Sequence, residues 1–571
     1  MKKIRNNNLV IVLVITLLFS IPLLTNSIPG FTVDFTYHLT RIEGIKSGLA
    51  SHNFPIYIYP YANNGFGYAS PLFYPDIFLL IPTFLYCLGI PIIVSYKIFI
   101  FIISFVTSYL SLLLFEHIFN NKFLSIISCF LYCFSDIRIA LTFQASALGN
   151  VMGMMFIPML FLSFYEYFIE RKNNYLLIGV SFTCMLLSHI LSFTISVFMF
   201  GLFLIIDFLK NGIKKDRLVC LIKSILLALG LSAFFLFPML EQMLSQKFWY
   251  QFLGGLTNKN MMDTNRYSMK DLFSCFALDL FYYGKSYSDH RYIGTILSIG
   301  SIFFYLIDKI KYKNRNIKND LIMVVLLCGE LVQLKYIPIV FLKPLYAMQF
   351  LWRLDAFLVP LAIYIMFSVI SKMKIKRTLS NIILLLLFVN VFIEFNAIKM
   401  VGSGVYNNNT TYQETIELGY DPRLLSQTNN INLYELVNGE YLPYTNSYDY
   451  QNANTNIEFA NEETAVFNFE RVGTTITFST DYNFSDWIYM PLSWYKGYYY
   501  QELDDNGDVI LENECVYNEY TKRVGLYMME GNRMYRVYYK GTVIQKVSLA
   551  ISTISFGLLC FVVYKRKIDN D

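Results

Sequence analysis

Two textures alternate along the chain. Runs rich in Phe, Ile, Leu and Tyr, each close to the length a helix needs to cross a bilayer, are joined by short polar connections over most of the sequence. The runs fall at roughly 9–24, 92–115, 123–138, 147–168, 175–190, 191–209, 218–238, 292–308, 320–336, 351–370, 378–397 and 542–563, about twelve in all. Phe78–Leu88 is apolar too, but it is too short to span and Pro82 interrupts it, which fits a re-entrant or interfacial segment. The stretches 30–76 and 398–541 break the pattern. The second is polar and rich in Asn and Tyr, and it alternates in places. Thr474–Ser479 (TTITFS) and Met534–Tyr539 (MYRVYY) read as strands, with turns supplied by Asn506-Gly507-Asp508 and Glu530-Gly531-Asn532. The predicted fold is therefore an α-helical polytopic membrane protein with a mainly-β domain, a small sandwich, before its last helix. Residues 1–397 form the transmembrane domain with its loop 30–76, 398–541 the β domain, and 542–571 the final helix and basic tail.

Positive charge then orients the spans. Lys2, Lys3 and Arg5 precede the first run, which reads as an uncleaved helix with its N-terminus in the cytoplasm. Further clusters lie at Lys122, at Arg171 and Lys172, at Lys210 to Arg217, at Lys309 to Lys318, at Lys372 to Arg377 and at Lys565 to Lys567. All fall on one side of a single alternation, the cytoplasmic side. The segments 30–76, 139–146, 239–291, 337–350 and 398–541 then face outward. The weakest joint is the tight turn near His189 that separates two runs.

Composition supports this reading. The chain is 55% hydrophobic and 15% charged, against about 25% charged in soluble domains. The net charge of +5 is explained by the orienting clusters and does not point to nucleic acid. The nine cysteines lie mostly inside apolar runs, and no CxxC pair or Cys/His spacing suggests disulfides or a metal site. Abundant Asn, Ile, Lys, Tyr and Phe suit an AT-rich bacterial genome, and with it the plasma membrane of a bacterium.

The first outward stretch carries the densest candidate chemistry. Asp34, His38 and Arg41 stand at i, i+4 and i+7, which puts an acid, an imidazole and a guanidinium on one helical face. The alternative is an amphipathic surface helix with its charges in water. Asp136, Arg138, His189, Glu241 and Arg353 sit near the outer ends of other spans, where ionisable groups are costly unless they pair or work. Each has a structural alternative: Arg138 pairing with Asp136, His189 bonding backbone in a turn, Arg353 neutralising Asp355. No P-loop, GxGxxG, HExxH or GxSxG occurs. Outward chemistry without ATP needs a substrate activated within the membrane, and a lipid-linked sugar meets that need. Its transfer requires a carboxylate to deprotonate the acceptor and cations to hold the leaving phosphate. Asp34 is the candidate base, with His38 beside it, and Arg41, Arg138 or Arg353 the phosphate clamp.

The stretches DFTYHLTRIEGIKSGL (34–49), NNGFGYASPLFYPD (63–76), SDIRIALTFQASALGNVMGMMFIPM (135–159), LLSHILSF (186–193), FPMLEQ (237–242), MQFLWR (348–353), GEYLP (439–443) and PLSWYKGYY (491–499) together resemble bacterial YfhO-like and pyruvoyl-tetrahydropterin-synthase-related membrane proteins of the GT-C glycosyltransferase type. The resemblance spans most of the chain. It implies a polyprenyl-phosphate-sugar donor, a cell-envelope glycopolymer acceptor such as teichoic acid or a wall polysaccharide, and contact with membrane lipids. It does not imply pterin chemistry. Where it leads one to expect an arginine and a glutamate before the fourth span, this chain has Gln144 and Asn150. No cofactor is demanded; several GT-C enzymes use a divalent cation, and Asp34 with Asp136 is the acid pair that would offer it oxygen ligands. Two other functions stay open: a non-catalytic assembly factor for envelope polysaccharide, which Gln144 and Asn150 favour, and a transporter or flippase, for which no inverted repeat is evident.

Overall fold

The computed structural model describes residues 6–24, 33–251, 266–268, 295–314, 317–373, 389, 440–444, 457–459, 465–482 and 485–568. The predicted span 378–397, apart from position 389, most of the predicted outer stretch 239–291, and most of the first part, 398–456, of the predicted outer stretch 398–541 lie outside those residues. Helices dominate: α1 (Asn6–Phe19), α2 (Val33–Ala50), α3 (Ser70–Phe73), α4 (Leu80–Cys87), α5 (Ile92–Phe119), α6 (Lys122–Cys133), α7 (Asp136–Ile139), α8 (Leu148–Phe164), α9 (Tyr175–Ser188), α10 (Ile190–Asn211), α11 (Lys215–Ser245), α12 (Thr295–Ile310), α13 (Ile317–Leu331), α14 (Asp355–Ile370) and α15 (Val543–Ile568).

Among the described residues, six helical stretches are long and apolar enough to cross a membrane: α5, Leu148–Ile169, α10, α11, Leu351–Ile370 and α15. A seventh arises if α6 and the following Asp136–Phe143, bent by 45°, form one broken span. The sequence reading expects about twelve. One of those twelve, 378–397, falls outside the described residues apart from position 389, and others are shorter helices within them. A run of apolar residues is not always one long helix: α9 has 14 residues and stops where His189 turns extended, with φ −159° and ψ 113°. The segment at Ile77–Cys87 is a short apolar helix, as Pro82 and its length suggest.

The chain divides into two compact units: Met1–Thr36 with Tyr96–Ile225 and Gly254–Glu417, and Tyr37–Ser95 with Leu226–Leu253 and Leu418–Asp571. The first is helical. Its interior is tight enough that a Cβ on Gly153 of α8 would lie 2.9 Å from Ser192 Oγ of α10.

The second unit contains two antiparallel sheets. One has strand order β1 (Glu458–Phe459), β4 (Asp486–Ser493), β8 (Arg523–Met528), β7 (Val516–Tyr517); the other β2 (Ala465–Val472), β3 (Thr475–Tyr482), β9 (Gly531–Tyr539), β5 (Tyr498–Leu503), β6 (Val509–Glu514). Both strands expected from alternation are present, Met534–Tyr539 within β9 and Thr474–Ser479 in β3 apart from Thr474, a turn residue. They pair directly, Ile476 opposite Val537 and Phe478 opposite Tyr535. These residues, with Ile488, Met490 and Leu492 of β4 and Val524, Leu526 and Met528 of β8, form one buried core. Period-two alternation thus sends one face of each sheet inward. The Asn506-Gly507 turn follows β5. Gly507 takes φ +84°, which glycine adopts without steric cost, and Asp504 Oδ1 accepts the Asn506 and Asp508 amides at 2.9 and 2.7 Å.

The loop after α2 belongs to this unit. Ile58, Ala69, Leu72 and Phe73 enter the β core, with Phe248 beyond the end of α11. Ser493 N–H donates to the Phe66 carbonyl at 2.7 Å, and Arg471 Nη2 to the Pro60 carbonyl at 2.8 Å. The loop after α2 is therefore one wall of the β region.

Candidate functional site

Helix α2 forms because VDFTYHLTRIEGIKSGLA places Phe35, His38, Leu39, Arg41, Ile42 and Ile45 along one buried stripe. It opens with Asp34 in its first turn, where the N-terminal end of the helix favours negative charge. It ends before His52, which takes φ +57°. Asp34 is exposed. Its charge reaches the hydroxyl of Tyr96 in α5, and next to it Phe35 packs edge-on against the Tyr96 ring at 5.1 Å.

Two turns along α2, Arg41 is fully buried. Its Nε and Nη2 donate to Asp76 Oδ1 at 3.0 and 2.6 Å, and Nη2 also to the Pro75 carbonyl at 2.8 Å. Nη1 lies 3.1 Å from His38 Nδ1. A guanidinium can only donate, so His38 Nδ1 accepts and a neutral imidazole carries its proton on Nε2. Tyr59 donates its hydroxyl to Asp76 Oδ2. The Tyr74 ring lies over the guanidinium at 4.2 Å. Tyr37 shares a 2.8 Å hydrogen bond with Ser70. Burial pushes the Asp76 carboxyl upward, opposed by Arg41 and Tyr59. Burial alone would lower Arg41, but Asp76 and the surrounding tyrosines outweigh it, so Arg41 stays charged. Most of the Arg41 donors are therefore occupied within the protein, which locks α2 to the Pro75–Asp76 turn. Sequence reasoning missed Asp76 as the partner, although it is the carboxylate that closes the same stretch, 30–76.

The other predicted residues are spread over distinct surroundings. Asp136 and Arg138, both buried, follow the bend after α6. Arg138 does not turn to Asp136. It donates to the Cys133 carbonyl at 2.8 Å and to Ser104 Oγ at 3.2 Å, and lies over the Phe19 ring at 4.0 Å. The Cys133 carbonyl ends α6, so the cation caps a helix C-terminus. Its Nε–H has no partner, and no carboxylate pairs with it among the described residues. Gln144 closes a π-turn, Ala140–Gln144, ahead of Ser146 at φ +49°. Both features mark strained backbone.

His189 caps α10: its Nδ1 accepts the Ser192 amide at 3.3 Å and lies 2.8 Å from Ser192 Oγ. It thus bonds backbone at a turn, accepting from an amide. Glu241 pairs with Lys496 at 3.3 Å and accepts from the Thr542 hydroxyl. Arg353 donates to the Met348 carbonyl and to Gln349 Oε1, the latter at 3.1 Å. It does not neutralise Asp355, which accepts from Gln333 Nε2 at 2.6 Å. Among the described residues, the one group of three or more close-set cation ligands is His117, Glu166 and Glu170, which includes neither Asp34 nor Asp136. Its atoms are already engaged with Lys172 and Asn174.

Residues 72–398, more than half the chain, match the model of the 6-pyruvoyl-tetrahydropterin synthase related domain, described as a membrane protein. The chain belongs to this family of membrane proteins. It is also 24% identical over 339 residues to an uncharacterized protein of Lactococcus lactis subsp. cremoris (strain MG1363), covering 56% of this chain and 52% of that protein. The chain thus spans about half the length of that relative. No solved structure matches it. The family match begins after α2, so it includes Asp76, Asp136, Arg138, His189, Glu241 and Arg353 but not Asp34, His38 or Arg41.

Proposed function

We propose that this family member is a GT-C-type glycosyltransferase of the bacterial plasma membrane. It moves a sugar from a polyprenyl-phosphate carrier to a cell-envelope glycopolymer on the outer face. The observation that carries the reading is Arg138: a fully buried guanidinium with no carboxylate partner among the described residues and an Nε–H without an acceptor. An uncompensated cation at membrane depth is expensive, and an anionic substrate group would relieve that cost. Asp34, exposed at the start of α2, supplies the carboxylate that deprotonates the acceptor hydroxyl. His38 and Arg41 fix α2 around it through the Asp76 anchor, a positioning role in place of direct phosphate binding.

The test is transfer from labelled polyprenyl-phosphate sugars to isolated envelope polymer by the full-length protein in vesicles. Asp34→Asn should lower turnover about 100- to 10,000-fold, the usual weight of a general base, with expression and melting unchanged. Arg138→Lys should raise the donor KM more than it lowers kcat. Near-normal transfer by Asp34→Asn would sink the reading. The second reading, a non-catalytic assembly factor, is favoured by the engagement of Arg41 donors within the protein. It predicts that Asp34→Asn restores a deletion strain fully.

A further inference from the structure

A cavity of about 180 Å³ lies in the first unit, walled by α5, α8, α10, α13 and α14. Its walls are apolar and aromatic, with Phe164, Phe168, Phe203 and Leu361 among them. One side is the π-turn Tyr165–Ile169, a backbone irregularity frequent at functional sites. Its lining changes character sharply at Arg171, Lys210 and Lys318.

The charge count there is unbalanced. Asp207, buried, receives Arg171 and also Arg217, the latter at 3.2 Å. One carboxylate thus serves two guanidiniums before Lys210 and Lys318 are counted. The nearest acids on the π-turn segment do not redress this. Glu166 holds Asn174 at 2.9 Å, and Glu170 holds His117 and Lys172 at 3.0 and 2.7 Å. The crowding is felt by Lys318: burial, then the charges of Arg171 and Lys210, push its ammonium below its usual range, with Asp207 opposing. Lys318 also reaches the Ile169 carbonyl at 3.4 Å, so it stands over the π-turn side of the cavity.

From this geometry we infer that the cavity binds an anionic glycerophospholipid, one acyl chain among the phenyl rings and the phosphate on Lys210, Lys318 and Arg171. Charge complementarity selects the headgroup, and the apolar walls select a lipid over free phosphate. Position agrees: the basic clusters of the sequence put these three residues at the cytoplasmic ends of their spans, beside the leaflet that carries anionic lipid. The inference does not depend on the transferase reading.

The test uses the full chain, delipidated in detergent, offered phosphatidylglycerol or phosphatidylcholine of the same acyl length and examined by native mass spectrometry. The wild type should retain phosphatidylglycerol preferentially. Lys210→Gln with Lys318→Gln should cut that preference about thirtyfold, since each basic residue contributes about 1 kcal/mol near an anionic surface. Phe203→Trp, which narrows the cavity and leaves every charge in place, should lose the bound lipid while the protein stays monodisperse. Equal retention of the two lipids by the wild type would overturn the inference. So would an unchanged preference in the double variant, or displacement of the lipid by inorganic phosphate alone.

Discussion

The Arg41–Asp76 pair offers the sharpest test of how α2 and the loop after it are held. Arg41 is fully buried and the Asp76 side chain is 14% exposed, so little solvent screens the pair. Arg41→Met would leave Asp76 with Tyr59 as its remaining donor in the network. Asp76→Leu would strand a buried guanidinium on the Pro75 carbonyl and His38. Breaking one side of a buried pair costs about 3–5 kcal/mol, most of it the penalty of the charge left behind. Removing both charges avoids that penalty, so Arg41→Met with Asp76→Leu should lie closer to the wild type than either single variant. For a unit of this size each kcal/mol corresponds to about 2–4 °C, so each single variant should melt roughly 6–20 °C lower. The assay is thermal unfolding of the detergent-purified chain followed by intrinsic tryptophan fluorescence, since Trp494 packs against the β core. Single variants that melt like the wild type, or a double variant whose loss equals the sum of the singles, would refute the assignment of Arg41 as the anchor of α2.

Gly44→Ala tests the same anchor without touching a charge. A Cβ there would lie 2.4 Å from the Tyr59 ring, so Tyr59 must move off Asp76. The expected loss is about 1–3 kcal/mol of stability by chemical denaturation, and an unchanged midpoint would argue against the packing described. Glu512 on β6 provides a pH test. Hydrogen bonds from Lys540, Tyr538 and Gln501 hold it at about 2, below its ordinary value of 4.5. A carboxyl lowered on folding stabilises the folded state above its unfolded value and loses that contribution as pH falls through the folded one. Between pH 5 and 2 the wild-type melting temperature should therefore fall more steeply than that of Glu512→Gln, and parallel curves would sink this account.

Much of the architecture was legible because it is written in periodicity. Two-residue alternation in TTITFS and MYRVYY placed segments of β3 and β9, whereas Asp34, His38 and Arg41, read as one helical face, do fall on α2 but with Asp34 exposed and the other two buried. Span counting was less secure. Hydropathy registers a run of apolar residues, but it does not register a cap. His189 ends α9 by turning extended and starts α10 by accepting the Ser192 amide, and Ser135 breaks the run from Lys122 to Phe143 into α6 and a bent continuation. The placement of the loop after α2 against the β region was invisible for another reason. Arg471 meets the Pro60 carbonyl across 411 positions, and nothing local to either residue encodes that contact.

The arginines show where the sequence reading of the site reaches its limit. Arg41 and Arg138 are both fully buried, and both were nominated to hold phosphate on the same grounds. Residue type and neighbourhood cannot separate them, since each has an acid within a few positions, Asp34 and Asp136. Neither local acid is the partner that matters. Arg41 finds Asp76, 35 positions on, and with it charge-assisted bonds from both Nε and Nη2. Arg138 finds a helix-terminal carbonyl, a serine hydroxyl and an aromatic ring, which orient the guanidinium without neutralising it. The paired arginine has little left to offer a substrate, because releasing it would expose the full desolvation cost of Asp76. The other retains a charge and an unused donor, and an arriving anion would gain what the protein has withheld. Under the proposed transfer, a donor phosphate is therefore to be sought at Arg138, at the bend after α6, and not at Arg41.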